Sequence, residues 1–165
     1  MKMIKKSSNN TDLVVSVIVC AYNGSNIIEL CLKGLIQQTL PPNKFEIIII
    51  DDGSSDNTYE VVSNFINKNK GHEIFMELNS IKHGGLSIAR NAGIQLSKGE
   101  IIAFIDQDAV PDANWINELA NTFNSGADYV GGRINLLNTE TWVARFLQQT
   151  RFIQFFGTHT LNHPI

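Results

Sequence analysis

The sequence predicts an α/β domain with helices on both faces of a mostly parallel sheet, and three observations carry that expectation. Short β-branched apolar runs alternate with stretches of helical period along most of the chain. The runs are mostly apolar rather than alternating, as strands covered on both faces tend to be. Each then stops abruptly at polar residues: Tyr22-Asn23, Asp51-Asp52-Gly53-Ser54 and Asp106-Gln107-Asp108.

Taken in order, residues 1–12 are basic and then polar and read as a flexible N-terminal tail, leaving 13–165 as one domain. Val14 to Cys20 is a central strand, ended by Gly24, Ser25 and Asn26. Ile27, Leu30, Cys31 and Leu35 keep a helical period, with Asn26 and Glu29 placed as a capping pair, and Pro41-Pro42 ends the unit. Phe45 to Ile50 is a second buried strand, and Val61, Val62, Phe65 and Ile66 mark a second helix. Ile74 to Leu78 is a third strand. His83-Gly84-Gly85 opens a helix with Leu86, Ala89, Ala92 and Leu96 on its apolar face and Gly99 as its terminating residue. The Ile102–Ile105 strand follows. Pro111 fits the first turn of a helix that buries Trp115, Ile116, Leu119, Ala120 and Phe123, and a short strand is expected at Asp128–Gly131. Strand–helix alternation of this kind implies parallel pairing with right-handed crossovers. Beyond it, Trp142, Val143, Phe146, Leu147, Thr150 and Ile153 share one helical face. That face either packs on the sheet or lies on a membrane surface through residues 142–156.

Composition narrows the classes. The chain has 165 residues, 43% hydrophobic and 18% charged, with net charge −3, which suits one domain with a real core. Mild acidity argues against a nucleic-acid binder, which would carry a basic patch. Cys20 and Cys31 both fall in apolar patterns and read as reduced core residues, implying a cytoplasmic setting. No apolar run reaches the ~18 residues of a membrane span, so the expected domain is soluble, touching at most the inner face of a membrane.

The strand ends carry the chemistry. In open α/β sheets, ligands bind beyond the carboxyl ends of the strands. Asp106 and Asp108 there repel one another unless a cation lies beside them, and all-oxygen ligands favour Mg2+ or Mn2+ together with substrate phosphates. The plainer alternative is a solvated strand-to-turn junction. Tyr22 can stack on a base, Asp51 can accept from a base N–H or a ribose hydroxyl, and Arg90 can reach a base carbonyl or phosphate. Equally, Asp51 and Asp52 can cap a helix, and Arg90 can be an ion-pair partner for Asp51 or Asp106. His83 reads as an exposed loop histidine, and Ser54, Ser55 and Asn57 as turn and cap residues. Zinc is not expected, because His159 and His163 have no second ligand at metal spacing.

Four stretches in this order and spacing, Val17–Gly24 (VIVCAYNG), Ile49–Thr58 (IIDDGSSDNT), Ala89–Gly93 (ARNAG) and Gly99–Pro111 (GEIIAFIDQDAVP), resemble the family 2 glycosyltransferases of the GT-A fold. The resemblance covers roughly residues 14–132. It implies a three-layer α/β/α, Rossmann-like sheet and an inverting, metal-assisted transfer of sugar from a nucleotide-diphospho sugar, a UDP-sugar first. The acceptor would be a saccharide or a lipid-linked molecule. On that basis Ala21, Tyr22 and Asp51 line the nucleobase and ribose, with Asn23, Asp52 and Gln107 beside them, and Arg90 guards the base or phosphate. Asp106 touches the ribose or the metal shell, and Asp108 ligates the metal.

The family's usual general base belongs to an acidic motif in the acceptor-binding half. After Asp108 the acids are Asp112, Glu118, Asp128 and Glu140, none in such a motif, and the chain stops at Asn162-His163-Pro164-Ile165. The expectation is therefore a donor-binding portion with its acceptor half missing. The alternatives are a sugar-nucleotide-binding fragment without turnover, or a non-catalytic assembly domain.

Overall fold

A computed structural model describes residues 4–5 and 13–132. Its strands are β1 (Ile4–Lys5), β2 (Val15–Ala21), β3 (Phe45–Asp51), β4 (Phe75–Ser80) and β5 (Ile101–Asp106). The helices are α1 (Ile28–Ile36), α2 (Thr58–Lys68), α3 (Leu86–Leu96) and α4 (Trp115–Asn124), with a 3-10 turn at Pro42–Lys44. The sheet order is β1-β5-β2-β3-β4, with β5, β2, β3 and β4 parallel and β1 antiparallel on the β5 edge.

The layers follow from the pleat. Val15, Val17, Val19, Ile47, Ile49, Ala103 and Ile105 point to one face and pack with Ile28, Cys31, Leu32, Leu35, Val62, Phe65, Ile116 and Leu119 of α1, α2 and α4. Ile18, Ile102 and Phe104 point to the other, as do Ile48 and Ile50, which meet Ala89 of α3. Every residue of β3 is buried, which explains its run of four isoleucines, and the buried Glu46 within it is hydrogen-bonded. Burying one such isoleucine stabilises by about 1.5–3 kcal/mol.

The topology positions the strand ends. From β2 the chain winds outward through β3 to β4, then returns to place β5 on the opposite side of β2. The winding direction reverses between β2 and β5, the position at which open α/β sheets have their ligand crevice. In register, Ala21 lies beside Asp51 and Cys20 beside Asp106.

Several local expectations are corrected. Residues 4–5, expected in a loose tail, pair with Ile102 and Ile101 and cover part of the open edge of β5. Asn26 does not cap α1: Ile27 occupies the cap position, and the backbone N–H groups of Ile27 and Ile28 both donate to Gly24 O at 3.0 Å. The third strand runs later than expected, to Ser80. In α3, Leu86 is exposed and Gly93 joins Ala89 as a buried position, because the helix lies tightly on β2.

Gly99 does not terminate α3. A Cβ there would come within 2.7 Å of the Ser16 backbone, and its N–H donates to Ser16 Oγ at 2.8 Å. Ser16 Oγ in turn donates to the buried Glu46 carboxylate at 2.6 Å, tying together the starts of β2, β3 and β5. Pro111 lies ahead of α4 and packs against Gly34, while an Asp112–Asn114 turn leads into the helix. No strand forms at residues 128–131, where Ala127 and Val130 are buried in irregular chain. The amphipathic segment at 142–156 lies outside the described residues.

Candidate functional site

Three loops meet at the carboxyl edge of the sheet, after β2, β3 and β5, and a fourth closes over them between β4 and α3. Ala21 is buried at the end of β2, and Tyr22 emerges from it with 44% of its surface exposed. Asn23 follows with φ +47°, a left-handed conformation that asparagine tolerates better than most residues. It staples two loops: its N–H donates to Ser54 Oγ at 3.0 Å, and its Oδ1 accepts from Ser55 N at 2.8 Å.

The acidic pair ending β3 divides its work. Asp51, 3% exposed, accepts from Ser80 Oγ at 3.0 Å and from Ser54 N at 3.3 Å. Asp52, equally buried, accepts from Gly84 N and Gly85 N at 2.9 Å each, one on either oxygen. It thereby holds the loop that opens α3. Asp52 Oδ2 also lies 3.0 Å from His83 Nδ1.

His83 is the residue that sequence reasoning undervalued. Its ring stacks on Tyr22 with centroids 4.3 Å apart and planes inclined by 20°. Nothing local marks this contact, since the partner lies two strands away in sequence. The His-Gly-Gly opening of a helix was the only available hint.

Across the crevice, Asp106 and Asp108 are exposed, and Gln107 between them turns back toward β2. Both functional groups of its amide engage the Tyr22 backbone: Oε1 accepts from Tyr22 N and Nε2 donates to Tyr22 O, each at 3.0 Å. Arg90, projecting from α3, meets Asp106 at 3.2 Å, and its guanidinium lies 5.4 Å from the Phe104 ring centroid. The ion-pair alternative for Arg90 is thus realised with Asp106. So solvated a pair is worth only about 0–1 kcal/mol, which leaves both groups free to engage a ligand. Behind the site, burial pushes the Cys31 thiol up to about 12, with Asp108 and Asp106 adding to the rise. Burial likewise raises Cys20 to about 11, opposed by Arg90, so neither thiol is a nucleophile at neutral pH.

Asp106 and Asp108 offer only oxygen donors, the chemistry that suits Mg2+ or Mn2+. Among the described residues no three His, Cys, Asp or Glu side chains converge on a metal position. Asp106 and Asp108 would suit an ion held by one or two carboxylates with its other positions open to ligand oxygens. No helix among the described residues is long and apolar enough to cross a membrane.

The mostly parallel, doubly wound sheet, with Tyr22, Asp51-Asp52 and Asp106-Gln107-Asp108 at the ends of its strands, is a GT-A domain, as its likeness to solved structures shows. The model of the family Glycosyl transferase family 2 matches residues 16–165, and the chain belongs to that family. Among curated relatives, glycosyltransferase AglE of Haloferax volcanii is 37% identical over 121 residues, covering 73% of this chain and 39% of AglE. Poly(ribitol-phosphate) beta-N-acetylglucosaminyltransferase TarS of Staphylococcus aureus is 36% identical over 93 residues, 56% of this chain and 16% of TarS.

Two solved structures share the fold at a TM-score of 0.61. S. aureus TarS 1-349 in complex with UDP is 25% identical and covers 68% of this chain and 32% of that one. The mannosyltransferase PcManGT from Pyrobaculum calidifontis, in complex with GDP-Man and Mn2+, is 28% identical and covers 71% and 33%. This chain thus spans well under half the length of these relatives.

Proposed function

We propose that this chain is the donor-binding part of an inverting glycosyltransferase that takes its sugar from a nucleotide-diphospho sugar. One observation carries the reading: Tyr22, Asp51, Arg90, Asp106 and Asp108 gather at one edge of a parallel sheet in a member of glycosyl transferase family 2. Tyr22 supplies the ring face that His83 leaves uncovered as a flat surface for the base, next to Ala21. Asp51 accepts from the base or ribose, exchanging its bond to Ser80 Oγ if a ligand competes. Arg90 and Asp106 offer opposite charges to the diphosphate and ribose.

Asp108, with Asp106, would hold Mg2+ or Mn2+, which as a Lewis acid offsets the negative charge gathering on the leaving diphosphate. Asn23, Asp52 and Gln107 shape the site through backbone contacts. Inversion requires a base on the far side of the sugar to take the proton of a saccharide or lipid-linked acceptor. A UDP-sugar is the favoured donor, supported by the similarity to TarS, solved with UDP and with UDP-GlcNAc.

Calorimetric titration of UDP, GDP and dTDP, first with Mn2+ and then with EDTA, tests this. Metal-dependent binding of UDP is the expected result. Preference for GDP would reassign the base while keeping the site. Failure of all three to bind would overturn the reading in favour of a non-catalytic assembly domain.

A further inference from the structure

The pairing of β2 with β5 ends at Cys20 and Asp106, yet the backbone of Tyr22, just past the end of β2, is not left unpaired on that side. Tyr22 N–H donates to Gln107 Oε1 and Tyr22 C=O accepts from Gln107 Nε2, both at 3.0 Å. A primary amide carries its C=O and one N–H on the same side of the C–N bond, so it can meet the N–H and C=O of a single extended residue and prolong the pairing where the β5 backbone has turned away. Room for it comes from Gly24: a Cβ there would lie 2.6 Å from Gln107 Cδ and 2.9 Å from Nε2. Glycine at 24 and glutamine at 107 are thus two halves of one contact.

Gln107 sits in the chain directly between the two carboxylates, while its amide holds the backbone of the aromatic platform. We infer that Gln107 is a positioning residue that fixes the span between Tyr22 and the Asp106–Asp108 turn, so that a nucleoside diphosphate engages base platform and metal-bearing end together. The inference rests on the proposed donor site. Gln107 acts through Tyr22 and the carboxylates: one N–H and one lone pair of its amide are engaged by the Tyr22 backbone.

The test uses the whole chain and whichever of UDP, GDP or dTDP it binds, titrated with Mn2+ and with EDTA. Gln107→Met keeps the length and volume of the side chain and removes both hydrogen bonds. It should reduce the Mn2+-dependent gain in affinity roughly tenfold while changing metal-free binding by about twofold or less. Gly24→Ala, which displaces the amide without touching it chemically, should reproduce this loss. The double variant should be no worse than either single one, because both remove the same contact.

A full Mn2+ gain in Gln107→Met, or an equal loss with and without Mn2+, would overturn the positioning role and leave the donor site standing. Additive losses in the double variant would overturn it too. A wild-type chain that binds none of the three nucleotides overturns the donor-site reading and this inference with it.

Discussion

The imidazole of His83 lies nearly flat against the phenol ring of Tyr22, 4.3 Å between centroids, and so joins the loop after β2 to the loop before α3. The orientation of the imidazole is set from behind. Nδ1 faces Asp52 Oδ2 at 3.0 Å and Asp52 O at 3.1 Å, both acceptors, so Nδ1 carries a proton in either charge state. Removing the ring in His83→Ala should cost about 0.5–1.5 kcal/mol of stability in the ligand-free protein. Denaturant unfolding of the two proteins side by side measures it.

Tyr22 carries the base in the proposed site. Tyr22→Ala should weaken nucleotide binding by about 1–3 kcal/mol if a base stacks on the ring. The loss should appear equally with Mn2+ and with EDTA, since the ring contributes nothing to the metal. Calorimetry under both conditions separates this from a defect at the carboxylates.

Asp108 is the complementary case. It is exposed and outside the Tyr22 contacts, so Asp108→Ala should fold normally and lose the Mn2+-dependent part of nucleotide affinity. Binding that still responds to EDTA as in the wild type would remove Asp108 from the metal site.

Asp52 predicts a structural penalty. Its buried carboxylate receives two backbone N–H groups, those of Gly84 and Gly85. Hydrogen bonds to a charged group contribute about 1.5–3 kcal/mol, so Asp52→Ala should lower stability by at least that range and loosen the loop over Tyr22. Thermal unfolding reads the first effect and hydrogen exchange at Gly84 and Gly85 the second.

Asp56 supplies a pH dependence. Hydrogen bonds from Thr58, then from Ser25, hold its carboxyl down at about 2, against an ordinary value of 3.8. A depressed folded-state pKa stabilises the fold above the unfolded value, and the contribution disappears as pH falls from 3.8 toward about 2. Asp56→Asn should flatten the stability profile in that window and remove the ionised carboxylate's contribution above it, near neutrality included.

The legible part of this protein is periodic. Val15–Ala21, Phe45–Asp51 and Ile101–Asp106 are close to the strands the apolar runs predicted, because strands buried on both faces are predominantly apolar. The helical faces of α2 and α4 were readable for the same reason. The candidate residues Tyr22, Asp51, Asp106 and Asp108 stood out as polar groups where those runs end. By contrast, the Asn26 cap and the Gly99 terminus both failed. The first gave way to another local contact, the Gly24 carbonyl closing the turn, and the second to a distant one, the Ser16 backbone crowding Gly99.

Sequence by itself determined the layers, the strand order's parallel character and which carboxylates reach the edge of the sheet, since these follow from hydrophobic period and strand length. Only the tertiary structure decided how each polar side chain is used. Gln107 turned out to clamp Tyr22, Asn23 to staple Ser55, Asp52 to hold Gly84 and Gly85, and His83 to cover Tyr22. The physical reason is reach: a hydrogen bond forms within about 3 Å, and which groups come that close depends on the register of strands far apart in the chain.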